Sequence, residues 1–319
     1  MSPSFDRREF LQRGLALSAG AALLETRVPS LAADDSSAPG QRAATPPAAR
    51  PGEPEGLEFG LVTYQWGQGF DLPTLLAVCA EGGALGVELR TGHPHAVEPS
   101  LSKAERTDVK KRFADSPVTF TGPGSDERFD NPDPAVVKRA IANTKAFLQL
   151  SHDCGATGVK VKPDRFHPNV PREKTIEQIG KSLNECAKFA ADLGQEVRLE
   201  THGQCSELPT IKAIMEVADH PAAAICWNCN AVDLEGEGLA HNFALVRDRF
   251  GATVHIHEFA SRRHVYPYAD LMRLLVESDY RGWLLLEGIS PPEDKAAGLK
   301  QERQLFMQAI EAARAAKRG

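Results

Sequence analysis

The chain has 319 residues, 42% hydrophobic and 25% charged, with a formal net charge of -6. That composition suits a globular protein with enough apolar side chains for a sizeable core. It excludes a strongly basic nucleic-acid-binding surface, because no basic run extends beyond residues 110–112. The six cysteines are scattered and do not form a dense disulfide scaffold; Cys226 and Cys229 make a C-x-x-C on an expected strand, with no second pair, and are read as core residues.

The first stretch reads as an address. Arg7 and Arg8 are followed by Phe10 and Leu11, a mildly apolar run spans residues 15–24, and Ser30-Leu31-Ala32 offers small residues for cleavage after Ala32. The three parts in this order resemble a twin-arginine export signal over residues 1–32, which implies a periplasmic or secreted protein. Residues 33–56 are rich in Pro, Ala and Ser with few large apolar side chains, and are expected to be a disordered linker. No apolar run reaches the roughly eighteen residues of a membrane span.

From residue 57 strands alternate with helices. Residues 57–64 read as the first strand; a helix then runs from Asp71, its expected cap, to a Gly82-Gly83 stop. The second strand covers 85–90, a polar helix follows, and the third strand covers 117–122. Asp133 and Pro134 open the next helix, with Pro at the first helical position where its missing N–H costs nothing. Residues 157–163 give the fourth strand, and a long amphipathic helix runs over 172–193. The rhythm continues with strands at 196–203, 223–230, 252–259 and 283–288, each followed by a helix, the last over 295–318. Eight strand-helix units over residues 57–319 match a closed parallel (β/α)8 TIM barrel, whose usual length is about 250 residues. An open doubly wound sheet is the competitor, weakened because YQWGQGF after the first strand is not a dinucleotide fingerprint.

The strands end in polar residues. Alternation places His255 and His257 on one face of VHIHEF, opposite Val254 and Ile256, and places Glu200 and His202 on one face of VRLETHG. The second strand adds Glu88 and Arg90, the fourth Lys160 and Lys162, the sixth Asn228 and the eighth Glu287. In a barrel such groups line the mouth at the carboxyl ends of the strands, where metal binding and acid/base chemistry reside. His202 and His257 suit proton movement near neutral pH, with orientation of a neighbour by hydrogen bonding as the alternative. Lys160 and Lys162 suit a substrate carboxylate or hydroxyl, and Trp66 suits stacking on a sugar face or a place in the core.

GVELR, RLETHG, VHIHEF and LLLEG resemble the sugar phosphate isomerase/epimerase family, the xylose isomerase-like TIM barrels, over nearly all of residues 57–318. The resemblance implies one divalent metal ion (Mn, Mg, Co or Zn) on Glu200, Asn228, His255 and Glu287. Glu200 and Glu287 would be the carboxylate pair that moves a proton, and Glu88 would lie near the substrate. Asn228 departs from the family's usual Asp, and Ala231 stands where a His is often found. Asn brings no charge, so a weaker hold on the metal is expected, and Asp233 is the nearest compensating carboxylate. The chain lacks the additional histidines of endonuclease IV-type sites, and a nucleic-acid partner is not expected. The expected partner is a small-molecule carbohydrate, with homo-oligomerisation left open. Export argues against a sugar phosphate, so the expected activity is isomerisation or epimerisation of a non-phosphorylated carbohydrate. A keto-glycoside lyase and a non-catalytic sugar-binding barrel are the alternatives.

Overall fold

Eight short, buried, mainly apolar segments form the strands: β1 (Leu57–Val62), β2 (Gly86–Arg90), β3 (Thr119–Arg128), β4 (Gly158–Lys162), β5 (Glu196–Glu200), β6 (Ala223–Cys226), β7 (Thr253–Ile256) and β8 (Gly282–Leu286). Between and after them run α1 (Leu72–Gly82), α2 (Lys103–Ala114), α3 (Pro134–Asp153), α4 (Arg172–Asp192), α5 (Leu208–Val217), α6 (Leu239–Val246), α7 (Tyr268–Glu277) and α8 (Lys295–Arg318). The computed structural model describes residues 56–261 and 265–319. The export signal and all but the last residue of the expected linker lie outside the described residues.

All pairings are parallel, in the order β6-β5-β4-β3-β2-β1-β8-β7. The two ends of that order meet through the bridges Ile225↔Phe250 and Asn228↔His255, with His255 N donating to Trp227 O at 2.7 Å. The sheet therefore nearly closes on itself, a (β/α)8 barrel with helices outside. Local sequence sets the helix starts. Asp71 accepts from Thr74 N at 2.9 Å, Ser102 and Glu105 form a reciprocal capping box, and Asp133 caps α3 just before Pro134.

Alternation divides each strand between two environments. Val87, Leu89, Val159, Val161, Leu199, Ile256, Leu284 and Leu286 belong to the main core, together with Leu75, Ile179, Leu183, Leu275 and Phe306 from the helices. Each such side chain contributes about 1.5–3 kcal/mol of burial. Val62, Trp283 and Leu285 form a separate small cluster on the opposite, inner face. Glycines make room there: a Cβ on Gly86 would lie 2.3 Å from the Trp283 ring, and one on Gly124 would lie 2.5 Å from Glu88 Oε1. Arg198, wholly buried, pairs with Glu196 and donates to Thr121 O.

Strand β3 differs from expectation. It runs ten residues, through Gly122, Pro123 and Gly124, and does not stop at Gly122. Gly122 lets the strand run close against the Gly158 carbonyl of β4 and Gly124 makes room for the Glu88 side chain, and the pairing shifts register on both sides of the strand. Strands β6 and β7 are only four residues long, so Asn228 and His257 stand just past strand ends, at the mouth.

Candidate active site

Glu200 is the last residue of β5 and points inward with Glu196 and Arg198; its side chain is 1% exposed. Lys160 on adjacent β4 brings Nζ to 2.9 Å from Glu200 Oε2. Asn228, two residues beyond β6, donates Nδ2 to Glu200 Oε1 at 2.8 Å and to Glu287 Oε2 at 2.9 Å. Glu287 directly follows β8, on the inner face with Trp283 and Leu285. His255 on β7 places Nδ1 3.5 Å from Glu200 Oε1 and 3.7 Å from Glu287 Oε2, while Nε2 lies 3.2 Å from Glu88 Oε2. Four side chains from four different strand ends thus surround one point, and ligand atoms of Glu200, His255 and Glu287 all lie within 4.8 Å of one another.

The charges in this dry cluster hold one another. Burial alone would raise the Glu200 carboxyl, but Lys160 and then His255 hold it well below the ordinary carboxylate range. Burial likewise opposes ionisation of Lys160, and Glu200, Glu88 and Glu287 together push its ammonium above the usual lysine value. Glu287 is also lowered: burial and Glu200 work against ionisation, His255 and Lys160 for it. For His255 burial favours the neutral ring, yet Cys226, Glu88 and Glu200 raise it well above the usual histidine value.

The donor set fits a divalent cation. Oδ1 of Asn228 and Nδ1 of His255 are buried without a hydrogen-bond partner. Turning the Asn228 amide over presents Oδ1 to the point its Nδ2 now faces, because the two orientations differ only in which atom the hydrogen-bond network assigns. Two carboxylates, one amide oxygen and one imidazole nitrogen suit Mn, Mg, Co or Zn, and a cation held there would take the place of a proton on His255.

The remaining expected site residues fall in three places. His202, two residues past Glu200, points Nδ1 at Asp164 Oδ1, 3.0 Å away. Lys162 is engaged with Asp126 at 3.0 Å, the Arg90 guanidinium lies over the Tyr64 ring at 4.7 Å, and His257 Nδ1 is 3.1 Å from Glu287 O. These four stand at the mouth. Two do not. Trp66 is 5% exposed and its ring fills the space left by Gly288 and Gly298, so no free face remains for stacking on a sugar. Glu88 is 1% exposed and sits behind His255, with Oε2 against Nε2 of that ring, which it orients. Asp233 accepts from Asn230 N at 2.9 Å and from the Tyr266 hydroxyl at 2.8 Å, which fixes the loop after β6 and does not supply the carboxylate that Asn228 lacks. The cysteines are all buried with free thiols, Cys226 and Cys229 included.

Asp164 is the residue that sequence reasoning missed. It adopts a left-handed backbone (φ 62°), pairs through Oδ2 with Arg128 Nε at 2.9 Å, and accepts Gln204 N on its carbonyl oxygen at 2.7 Å. A non-glycine residue in that conformation next to a site histidine marks a constrained position. The available signal was Lys162-Pro163-Asp164 at a strand end.

A parallel barrel whose mouth holds a buried carboxylate, imidazole and amide cluster is the class defined by this fold and site. The profile of the xylose isomerase-like TIM barrel family matches residues 76–311, and the chain belongs to that family. No curated protein matches the sequence. Among solved structures it is similar to an L-ribulose 3-epimerase (TM-score 0.69, 17% identity, covering 82% of this chain and 97% of that one). It is also similar to the apo form of YcjR, a 3-keto-D-glucoside 4-epimerase from E. coli (TM-score 0.67, 16% identity, 79% and 99%). The IolI protein with a bound zinc atom is a third (TM-score 0.63, 14% identity, 80% and 98%). At these identities the likeness is one of fold.

Proposed function

We propose that this chain is an exported, metal-dependent sugar isomerase or epimerase acting on a non-phosphorylated carbohydrate. The observation that carries the reading is the convergence of Glu200, His255 and Glu287, whose ligand atoms all lie within 4.8 Å of one another, with the Asn228 amide 2.8 and 2.9 Å from the two carboxylates. Proton transfer next to a carbonyl needs such a base, and a proton returned from the opposite face gives an epimer. The sugar-epimerase neighbours agree with this class of chemistry, and the export signal of residues 1–32 argues for a substrate found outside the cytoplasm.

A divalent cation on Glu200, Asn228, His255 and Glu287 would supply an electrophile for a substrate carbonyl oxygen. The protein's own groups divide the remaining work. Glu287 is the better base, because its side chain is 17% exposed toward the mouth and is not paired with Lys160 as Glu200 is. Lys160 keeps Glu200 ionised, Glu88 fixes the His255 ring through Nε2, and Asp164 holds His202 at the rim.

The test is solvent-deuterium exchange into a panel of keto sugars by wild type and Glu287→Gln. Exchange without bond cleavage by wild type, lost by at least about a hundredfold in a variant that keeps its thermal midpoint, is the expected result. Release of an aglycone would make the protein a lyase, and absence of exchange with binding intact would make it a binding module.

A further inference from the structure

Beside the mouth lies a cavity of about 440 Å³, walled by the end of β3, the loop after β4 and the first turns of α3. Asp126, Arg128, Arg139, Asn143, Asp164 and His167 are among its lining residues. Two of its lining residues pair with residues that flank the active site. Asp126 Oδ1 lies 3.0 Å from Nζ of Lys162, which follows Lys160 by two positions on the same face of β4. Asp164 Oδ1 lies 3.0 Å from Nδ1 of His202, which follows Glu200 by two positions.

Its chemistry selects a neutral polyol over an anion. The carboxylates Asp126, Asp130 and Asp164 are paired with Lys162, His167 and Arg128 respectively, so the wall carries no excess of positive charge to hold a phosphate. Asn143 adds an amide, hydrogen-bonded to Glu127 at 3.2 Å, and the exposed Arg139 guanidinium has no partner among the described residues. Carboxylates that accept, amides that do both and an unengaged fork of donors form a lining suited to ring hydroxyls.

We infer that the substrate is a glycoside, its keto ring facing Glu200 and Glu287 and its second, hydroxyl-bearing ring seated in the β3–α3 cavity. This inference rests on the sugar isomerase reading above. It requires Arg139 and Asn143 to contribute to the second ring alone.

Calorimetric titration of the full chain with lactulose, maltulose and isomaltulose, each a fructose unit bearing a second ring, against D-fructose alone is the direct test. At least one disaccharide is expected to bind tenfold or more tightly than D-fructose. Arg139→Ala and Asn143→Ala are each expected to lose about fivefold to tenfold for that disaccharide and nothing for D-fructose. Equal affinities for all four sugars, or equal losses for one ring and two, would overturn the subsite. Deuterium exchange measured in parallel separates the two readings. Disaccharide-selective binding without exchange removes the isomerase and keeps the subsite, whereas exchange with no preference for two rings keeps the isomerase and removes the subsite.

Discussion

Lys160 Nζ lies 2.9 Å from Glu200 Oε2, with the two side chains 4% and 1% exposed. An ion pair this dry stabilises only while both members are present, since removing one leaves a buried charge uncompensated at about 3–5 kcal/mol. Lys160→Met is therefore expected to lower the urea midpoint at pH 7 markedly. The carboxyl is lowered from 4.5, so its contribution is present above that value and disappears as pH falls through the folded value. The ammonium is raised from 10.5, so its contribution is full below that value and disappears as pH rises through the folded one. The gap between variant and wild type should be widest between about pH 4.5 and 10.5 and narrow outside it. Identical midpoints at pH 7 would show that the pair does not form.

Asn228→Asp replaces the amide that donates to Glu200 and Glu287 by a third carboxylate. Without added metal the variant should unfold at a lower temperature, since three anions then crowd one point. With Mn²⁺ it should bind about tenfold or more tightly than wild type, because a charged oxygen replaces a neutral one. Calorimetry measures both; unchanged affinity would remove Asn228 from the ligand set.

Asp233 is wholly buried, and burial pushes its carboxyl from 3.8 up to about 7 against the hydrogen bonds from Asn230 and Tyr266. The folded protein thus prefers this group protonated, and stability declines as pH rises from about 4 toward 7. Asp233→Asn removes that decline while keeping an oxygen for both donors. Its unfolding free energy relative to wild type, read from urea titrations, should climb between pH 5 and pH 8 by roughly 2–3 kcal/mol. A difference independent of pH would mean that Asp233 is ionised throughout.

Arg7→Lys combined with Arg8→Lys should leave the protein in the cytoplasm, as read by fractionation of cells expressing the full chain. Normal export of the double variant would remove the twin-arginine reading and, with it, the argument against a phosphorylated substrate.

The alternating elements and the inward faces of Glu200, Asn228, His255 and Glu287 were legible because period and position along a strand are local properties. Depth was not. Glu88 and His255 share an inner layer, and Arg198 lies deeper still, yet all alternate in the same way as the mouth residues. Height along the bore depends on the stagger between neighbouring strands, which no single strand encodes. The end of β3 was placed too early at Gly122 for the same reason: the Gly158 carbonyl and the Glu88 side chain that Gly122 and Gly124 accommodate lie on neighbouring strands. Trp66 needed a partner too, since Gly288 and Gly298, more than two hundred residues away in sequence, leave room for its ring.

The join between the first and last members of the sheet order has a further meaning. One of its two bridges pairs Asn228 with His255, the same residues that face the central point. Closing the sheet on itself therefore also brings Asn228 and His255 together, so the cluster is complete only in the closed ring.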